Sequence, residues 1–289
     1  MNQSDLWTPR RRIEQAFRRA LKRISQMIAR VFSLHGNIED IQKALLDMAV
    51  SKTFIRACES AAMKMVTGLF ADQGRTWREA AAANGMGRKV YEALRRELSG
   101  ETGNRVKQLV FENSQLIKTL PNDISDMVTK FAARESFKGR RASDIAKQIQ
   151  AIFPEHTRAR ADLIARTQVS MTQTNLIKAR AERFGWNWYV WRAVGGGRGD
   201  GRTRKSHRGM SGVLVNWNDP PAPENLFPTY TKTGRPYRNT LGKYHAGQCP
   251  NCRCYPEPVI DLDLFQWPMN IYRNGSIRTI TRKQFEAIN

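Results

Sequence analysis

The run Gly185-Trp186-Asn187-Trp188-Tyr189-Val190-Trp191-Arg192-Ala193-Val194-Gly195-Gly196-Gly197 divides the chain into two kinds of structure. Ahead of it, about Glu155 to Phe184 reads as one long helix starting after Pro154, and Gly185 suits the residue just past its end. The run itself is aromatic and β-branched and stops at three glycines, which predicts a strand. Its tryptophans are read as sealing a helix–sheet interface rather than stacking on bases.

Downstream, the same signals recur. Val213 to Trp217 and Tyr255 to Ile260 read as further strands, with one helical turn over Thr203 to Gly209. Asn274-Gly275 between Ile271-Tyr272-Arg273 and Ser276 to Ile280 predicts a two-residue hairpin, followed by a short helix from Thr281. Asp219 to Leu241, with Pro220, Pro221, Pro223, Pro228 and Pro236, is too long for a turn and reads as a surface lid or interaction arm.

Upstream, the chain reads as helical. Residues 8 to 34 form a basic amphipathic helix, with Thr8 as cap, Pro9 at the first helical position and Ile13, Phe17, Leu21, Ile24, Ile28, Val31 and Phe32 at helical spacing. Its other face carries Arg11, Arg12, Arg18, Arg19, Lys22 and Arg23. From Asn37 to about Phe153 the stops are Gly74, Asn84 to Gly87, Gly100 to Gly103, Pro121 and Gly139, and Thr76 with Glu79 matches a capping box. Met63 and Met65 are read as core. The expected fold is therefore mainly α with a C-terminal α+β domain, a small mixed or antiparallel sheet packed on a long helix. The expected divisions are 1–153, 154–260 and 261–289.

The 289 residues carry 48 Lys and Arg against 26 Asp and Glu, a formal charge of +22. A field of that sign attracts phosphate polyanions, and no recognition helix or RNP-type motif is present, so double-stranded DNA is the expected acidic partner, bound without sequence preference. The residues expected to face it are Arg11, Arg12, Arg18, Arg19 and Lys22 in the first helix, and Arg198, Arg202, Arg204, Lys205 and Arg208 in the loop beyond the first strand. No apolar run reaches membrane-spanning length and the amino terminus has no uninterrupted apolar region of the signal-peptide kind, so neither stable membrane insertion nor secretion is expected. Four cysteines, one of them isolated at Cys58, fit a reducing cytoplasm better than a disulfide framework.

Three of those cysteines fall in the six residues Cys249-Pro250-Asn251-Cys252-Arg253-Cys254. With His207 they offer the soft sulfur and nitrogen donors of a structural zinc site, with His245 as a substitute for one ligand. Four protein ligands leave no open position for water, which argues against a hydrolytic ion. The competing readings are buried small thiols beside a hydrogen-bonded histidine, and a zinc-stapled nuclease using His207 and His245 with Arg202, Arg204 and Lys205. Of carboxylates that might orient a histidine, only Asp200 stands near in sequence.

Taken in order, Ala165-Arg166-Thr167-Gln168, Trp191, Asp200-Gly201-Arg202-Thr203-Arg204, His207, Ser211-Gly212, the proline-rich loop and Cys252-Arg253-Cys254 before Pro256 resemble the phage Mu F-like head morphogenesis proteins, also called minor capsid proteins. The resemblance spans roughly residues 155 to 260; Gln168 stands where the family has an acidic residue, and Cys249 is an added cysteine. It implies a non-enzymatic virion component of few copies at the portal vertex or capsid interior, assembled in the bacterial cytoplasm and needed for head morphogenesis and DNA delivery. Its partners would be the portal protein, the major capsid protein and packaged DNA. A free, non-specific DNA-binding protein is the third reading.

Overall fold

A computed structural model describes residues 6–8, 10–83, 87–230, 233–235 and 241–288. Pro9, positions 84–86 of an expected helix stop, and Pro236 lie outside the described residues. The chain is mainly helical with a C-terminal five-stranded mixed sheet. Among the described residues, seven helices of nine or more residues precede the sheet: α1 (Arg11–Leu34), α2 (Ile38–Val50), α3 (Lys52–Ala83), α4 (Gly87–Arg95), α5 (Glu101–Lys118), α6 (Leu120–Phe137) and α7 (Ala142–Arg183). Then follow β1 (Trp188–Arg192), the single turns α8 (Lys205–Gly209) and α9 (Pro223–Leu226) around β2 (Leu214–Asn216), and β3 (Tyr255–Pro258). The hairpin β4 (Met269–Arg273) and β5 (Ser276–Ile280) leads into α10 (Arg282–Glu286).

Two compact units form, and neither is continuous in sequence. One comprises 11–68 and 107–168, the other 1–10, 69–106 and 169–289. The sequence positions 153/154 and 260/261 mark no edge of either. Among the described residues no helix is long and apolar enough to cross a membrane.

In the first unit, α1 buries Phe17, Leu21, Ile24, Ile28, Val31 and Phe32, the stripe expected from the sequence. Asn37 caps α2, its side chain accepting from the Asp40 N–H at 2.7 Å. Pro121, expected as a stop, instead occupies the first turn of α6, where a missing N–H costs nothing. Pro154 lies inside α7 rather than before a helix. Ile149 and Phe153 are buried before it and Thr157 and Ala161 after it, so burial of one continuous face outweighs the lost backbone bond.

In the second unit, three readings made from local signals do not hold. Thr8 does not cap α1, which starts at Arg11; its hydroxyl donates to Tyr255 Oη at 3.3 Å. Gly74 does not end α3, which continues to Ala83; the Arg180 guanidinium lies beside it. Thr76 is consequently mid-helix and bonds back to the Asp72 carbonyl. Met65 is buried as expected, while Met63 is 51% exposed.

The strand order is β3-β1-β2-β4-β5, antiparallel except for β2 with β4. Alternation along the strands divides two apolar layers. Tyr189, Trp191, Val215 and Tyr272 face a core that holds Ile177 and Ala181 of α7, whereas Trp188, Val190, Leu214 and Ile271 face Phe285 of α10. Pro256 and Pro258 are tolerated because β3 is an edge strand. Asn274 and Gly275 both take positive φ, as the hairpin reading requires, and the hairpin extends this same sheet rather than standing apart. Trp7 packs edge-on to Trp77 at 4.9 Å, and its carbonyl accepts from Gln173.

Candidate metal centre

Strand β1 supplies the floor of the site through Trp191, which is fully buried and meets the His207 ring edge-on at 5.6 Å. His207 sits on α8, the short turn anticipated between the strands, and is 2% exposed. From the other side comes the turn Cys249-Pro250-Asn251-Cys252, closed by Cys252 N–H donating to the Cys249 carbonyl at 3.0 Å, with Asn251 in the left-handed region. The next step folds the two sulfurs inward: the Cys254 N–H donates to Cys252 Sγ at 3.3 Å.

The result is three buried donors, His207, Cys252 and Cys254, whose ligand atoms all lie within 4.8 Å of one another. His207 Nδ1 is 3.4 Å from Cys252 Sγ and 3.5 Å from Cys254 Sγ. Tetrahedral zinc, with bonds of about 2.3 Å to sulfur and about 2.0 Å to nitrogen, sets its donors roughly 3.5–3.8 Å apart, so the set fits a soft divalent ion. Cys249 stands just outside the mutually close set: its thiol hydrogen-bonds His207, and Arg204 Nη1 donates to its sulfur at 2.9 Å.

The other imidazole nitrogen is equally engaged. His207 Nε2 lies 2.9 Å from Tyr244 Oη, which donates to Glu224 at 2.7 Å, and the carboxylate is 3.7 Å from Nε2. The carboxylate beside the histidine is therefore Glu224, from the proline-rich loop, and not Asp200, which bonds Thr203 and pairs with Arg253. Burial opposes charge on His207, but the thiols of Cys249 and Cys252 and the Glu224 carboxylate outweigh it and raise its pKa to about 11. Burial likewise opposes charge on Glu224, and bonds from His207 and Tyr244 bring it down to about 2. Cys252 is held low by its hydrogen bond from Cys254, which is itself pushed up. A divalent ion at Nδ1 would take the place of the proton there.

The loop expected as a surface lid or interaction arm is docked over its first half. Ser206 Oγ donates to Glu224, Tyr244 N–H donates to the Pro221 carbonyl, and the Phe227 ring fills the space beside Gly209. Gly247, at φ +86°, lets the returning chain touch α7: an added Cβ would come within 2.5 Å of Thr174 Oγ1. None of Tyr244, Glu224 or Thr174 was marked by a motif; Trp191 was, as part of the ordered resemblance.

His245 is not brought to the donor set. Its Nδ1 is 3.1 Å from Tyr189 Oη and its ring meets Trp217 edge-on. Burial, aided by the positive charge of Lys178, lowers its pKa to about 4, from an unfolded value near 6.5. Since the unfolded chain binds this proton first, His245 contributes about 3 kcal/mol that is present above pH 6.5 and lost as pH falls towards 4. Urea midpoints measured from pH 7 to pH 4 should fall less in His245→Gln than in the unaltered protein; equal falls would discard this account.

The ten cations expected to face DNA occupy both units. Arg11, Arg12, Arg19 and Lys22 are exposed on α1, while Arg18 pairs with Glu14 at 2.9 Å and with Asp162 at 3.4 Å. Arg198, Arg202, Lys205 and Arg208 are exposed around α8, with Arg202 at 4.0 Å from Asp200 and Arg208 donating to the Arg198 carbonyl. Arg204 turns inward, clamping Cys249 and the Pro250 carbonyl.

Residues 126–256 match the model of the family described as phage Mu protein F like protein, to which this part of the chain is similar. The chain is also similar to an uncharacterized protein of Haemophilus influenzae, 31% identical over 157 residues that make up 54% of this chain. The chain spans only 30% of that relative's length. No solved structure matches.

Proposed function

We propose, from the Mu F-like character of residues 126–256, that the protein is a minor head protein of a tailed bacteriophage. It acts at the portal vertex or inside the capsid during head morphogenesis, touches packaged DNA without reading sequence, and takes part in DNA delivery. The family match carries this reading. The +22 charge supports it independently, since cations that neutralise phosphates release counterions whatever the sequence.

In the same reading, zinc is held by His207 Nδ1, Cys252 and Cys254, with Cys249 as fourth donor. The ion would supply fixed cross-links between α8 and the cysteine turn; it has no reaction to serve. Tyr244 and Glu224 hold the other imidazole nitrogen and so orient the ring, the part a carboxylate commonly plays beside a histidine ligand. A nuclease is less well supported, because an imidazole 2% exposed with both nitrogens engaged is poorly placed to take a proton from water.

The test is quantitative mass spectrometry of purified heads against portal and major capsid protein from the same lysate. A few to some tens of copies per head, retained after a high-salt wash, is expected. Absence from every particle would remove the reading, and metal-dependent DNA cleavage lost in His207→Ala would replace it with the nuclease.

A further inference from the structure

Helix α1 has more apolar surface than its own packing uses. At about 100° per residue, Ala16, Ala20 and Met27 form an arc about 40° wide beside the buried stripe, and Arg19 and Arg23 lie just beyond them. Ile13, Ala16, Ala20, Arg23 and Met27 are spaced three and four residues apart in alternation, the spacing of a coiled-coil seam. On α3, Ala57, Ala61, Lys64 and Gly68 follow the same rule. Between the two seams, within the unit formed by 11–68 and 107–168, lies a groove of about 780 Å³ open to solvent. Its floor is apolar, made by Phe17, Ile24 and Met65.

The charge of the groove is one-sided. Arg12, Arg19, Arg23 and Lys64 line it, all exposed, and no Asp or Glu does. Arg19, Arg23 and Lys64 make no ion pair among the described residues. We infer that this groove receives an α-helix of another protein, apolar along one heptad seam and acidic on its flanks. The seams select a helix because only helical spacing meets both of them at once, and Ile13 to Met27 offers about 21 Å, roughly four turns. They select an acidic one because cations at seam and rim positions attract carboxylates across the contact. A second copy of α1 is excluded as occupant by its own charge, seven Lys or Arg against one Glu. The inference does not depend on the virion reading.

The probe is a labelled amphipathic peptide with Leu and Ala along one heptad seam and Glu on both flanks, compared with its Lys-flanked counterpart, titrated against the full chain by fluorescence anisotropy. The Glu peptide should bind at least about tenfold more tightly than the Lys peptide. Arg23→Glu should remove that preference. Ala20→Trp, which fills the groove from a half-buried position, should abolish binding while leaving the helical circular dichroism and thermal midpoint unchanged. Equal binding of the two peptides, binding of neither, or indifference to Ala20→Trp would overturn the inference. So would a dimer in sedimentation that Ala20→Trp dissolves, which would assign the groove to a second copy, or displacement of the peptide by a short DNA duplex.

Discussion

Cys252→Ser should remove bound zinc and lower the thermal midpoint by about 10 °C or more. The ion would link two segments that share no strand, α8 and the turn at residues 249–254, and a ligand whose Kd lies about a thousandfold below its free concentration adds about 4 kcal/mol to the folded state. For a chain of this size about 1 kcal/mol moves the midpoint by roughly 2–4 °C. Metal analysis of protein purified with zinc should give one ion per chain, and near none for Cys252→Ser. Glu224→Gln, which keeps every ligand and loosens only the ring's support, should weaken affinity by about 10–100-fold. Cys58→Ser is the control: that thiol is buried, its pKa pushed up to about 12 by burial, and its loss should leave the metal content alone. Protein that carries no zinc and melts identically with and without a chelator would refute the centre and leave three buried cysteines as hydrophobes.

Arg180→Met should cost about 3–5 kcal/mol, the largest effect of any single change away from the metal donors. Arg180 is wholly buried on α7; its Nη2 lies 2.7 Å from one Glu97 oxygen and its Nε 2.9 Å from the other. Nη2 also donates to the Phe70 carbonyl, and the guanidinium stacks over the Phe70 ring at 4.6 Å. Methionine fills the volume but leaves the Glu97 carboxylate, 5% exposed, without its counter-charge. Combining it with Glu97→Leu should recover a large part of the loss, so that the double variant is less damaged than the sum of the singles. Urea denaturation of the four proteins measures this; additive losses, or a cost below about 1 kcal/mol for Arg180→Met, would show that the pair contributes little.

Arg180 also illustrates what the sequence hid. Gly74 and Thr76 look locally like a helix end and a new start, yet α3 runs through both, with the Arg180 guanidinium in contact beside Gly74. Pro154 is the same lesson in α7: a local breaker overruled by an apolar face buried on both sides of it. Where the deciding interactions are local, the reading succeeded. Asn274-Gly275 made its hairpin, Gly185 ended α7 within a residue of expectation, and the aromatic run became β1.

The metal centre divides along the same line. His207, Cys252 and Cys254 were legible because few side chains donate soft electron pairs, so donor type alone named them. Glu224 and Tyr244 were not, since they reach His207 from 17 and 37 residues further along the chain and nothing in their neighbourhoods announces it. His245 has the right chemistry, but Tyr189 and Trp217 hold it on a different part of the same core.

The tethering of Trp7 against Trp77, within a unit whose last strand ends at Ile280, has a consequence for synthesis. The unit made of 11–68 and 107–168 has all its segments once residue 168 leaves the ribosome. The unit holding Trp7 must wait for β3, β4 and β5, a delay of roughly 6–22 s at bacterial elongation speeds of about 5–20 residues per second. During that interval the nascent chain presents Trp7, Trp77, Trp186 and Phe184 without the strands that later complete their core. A stop anywhere between residue 169 and Ile280 would therefore leave one unit with all its segments and the other with this apolar surface lacking the strands that cover it.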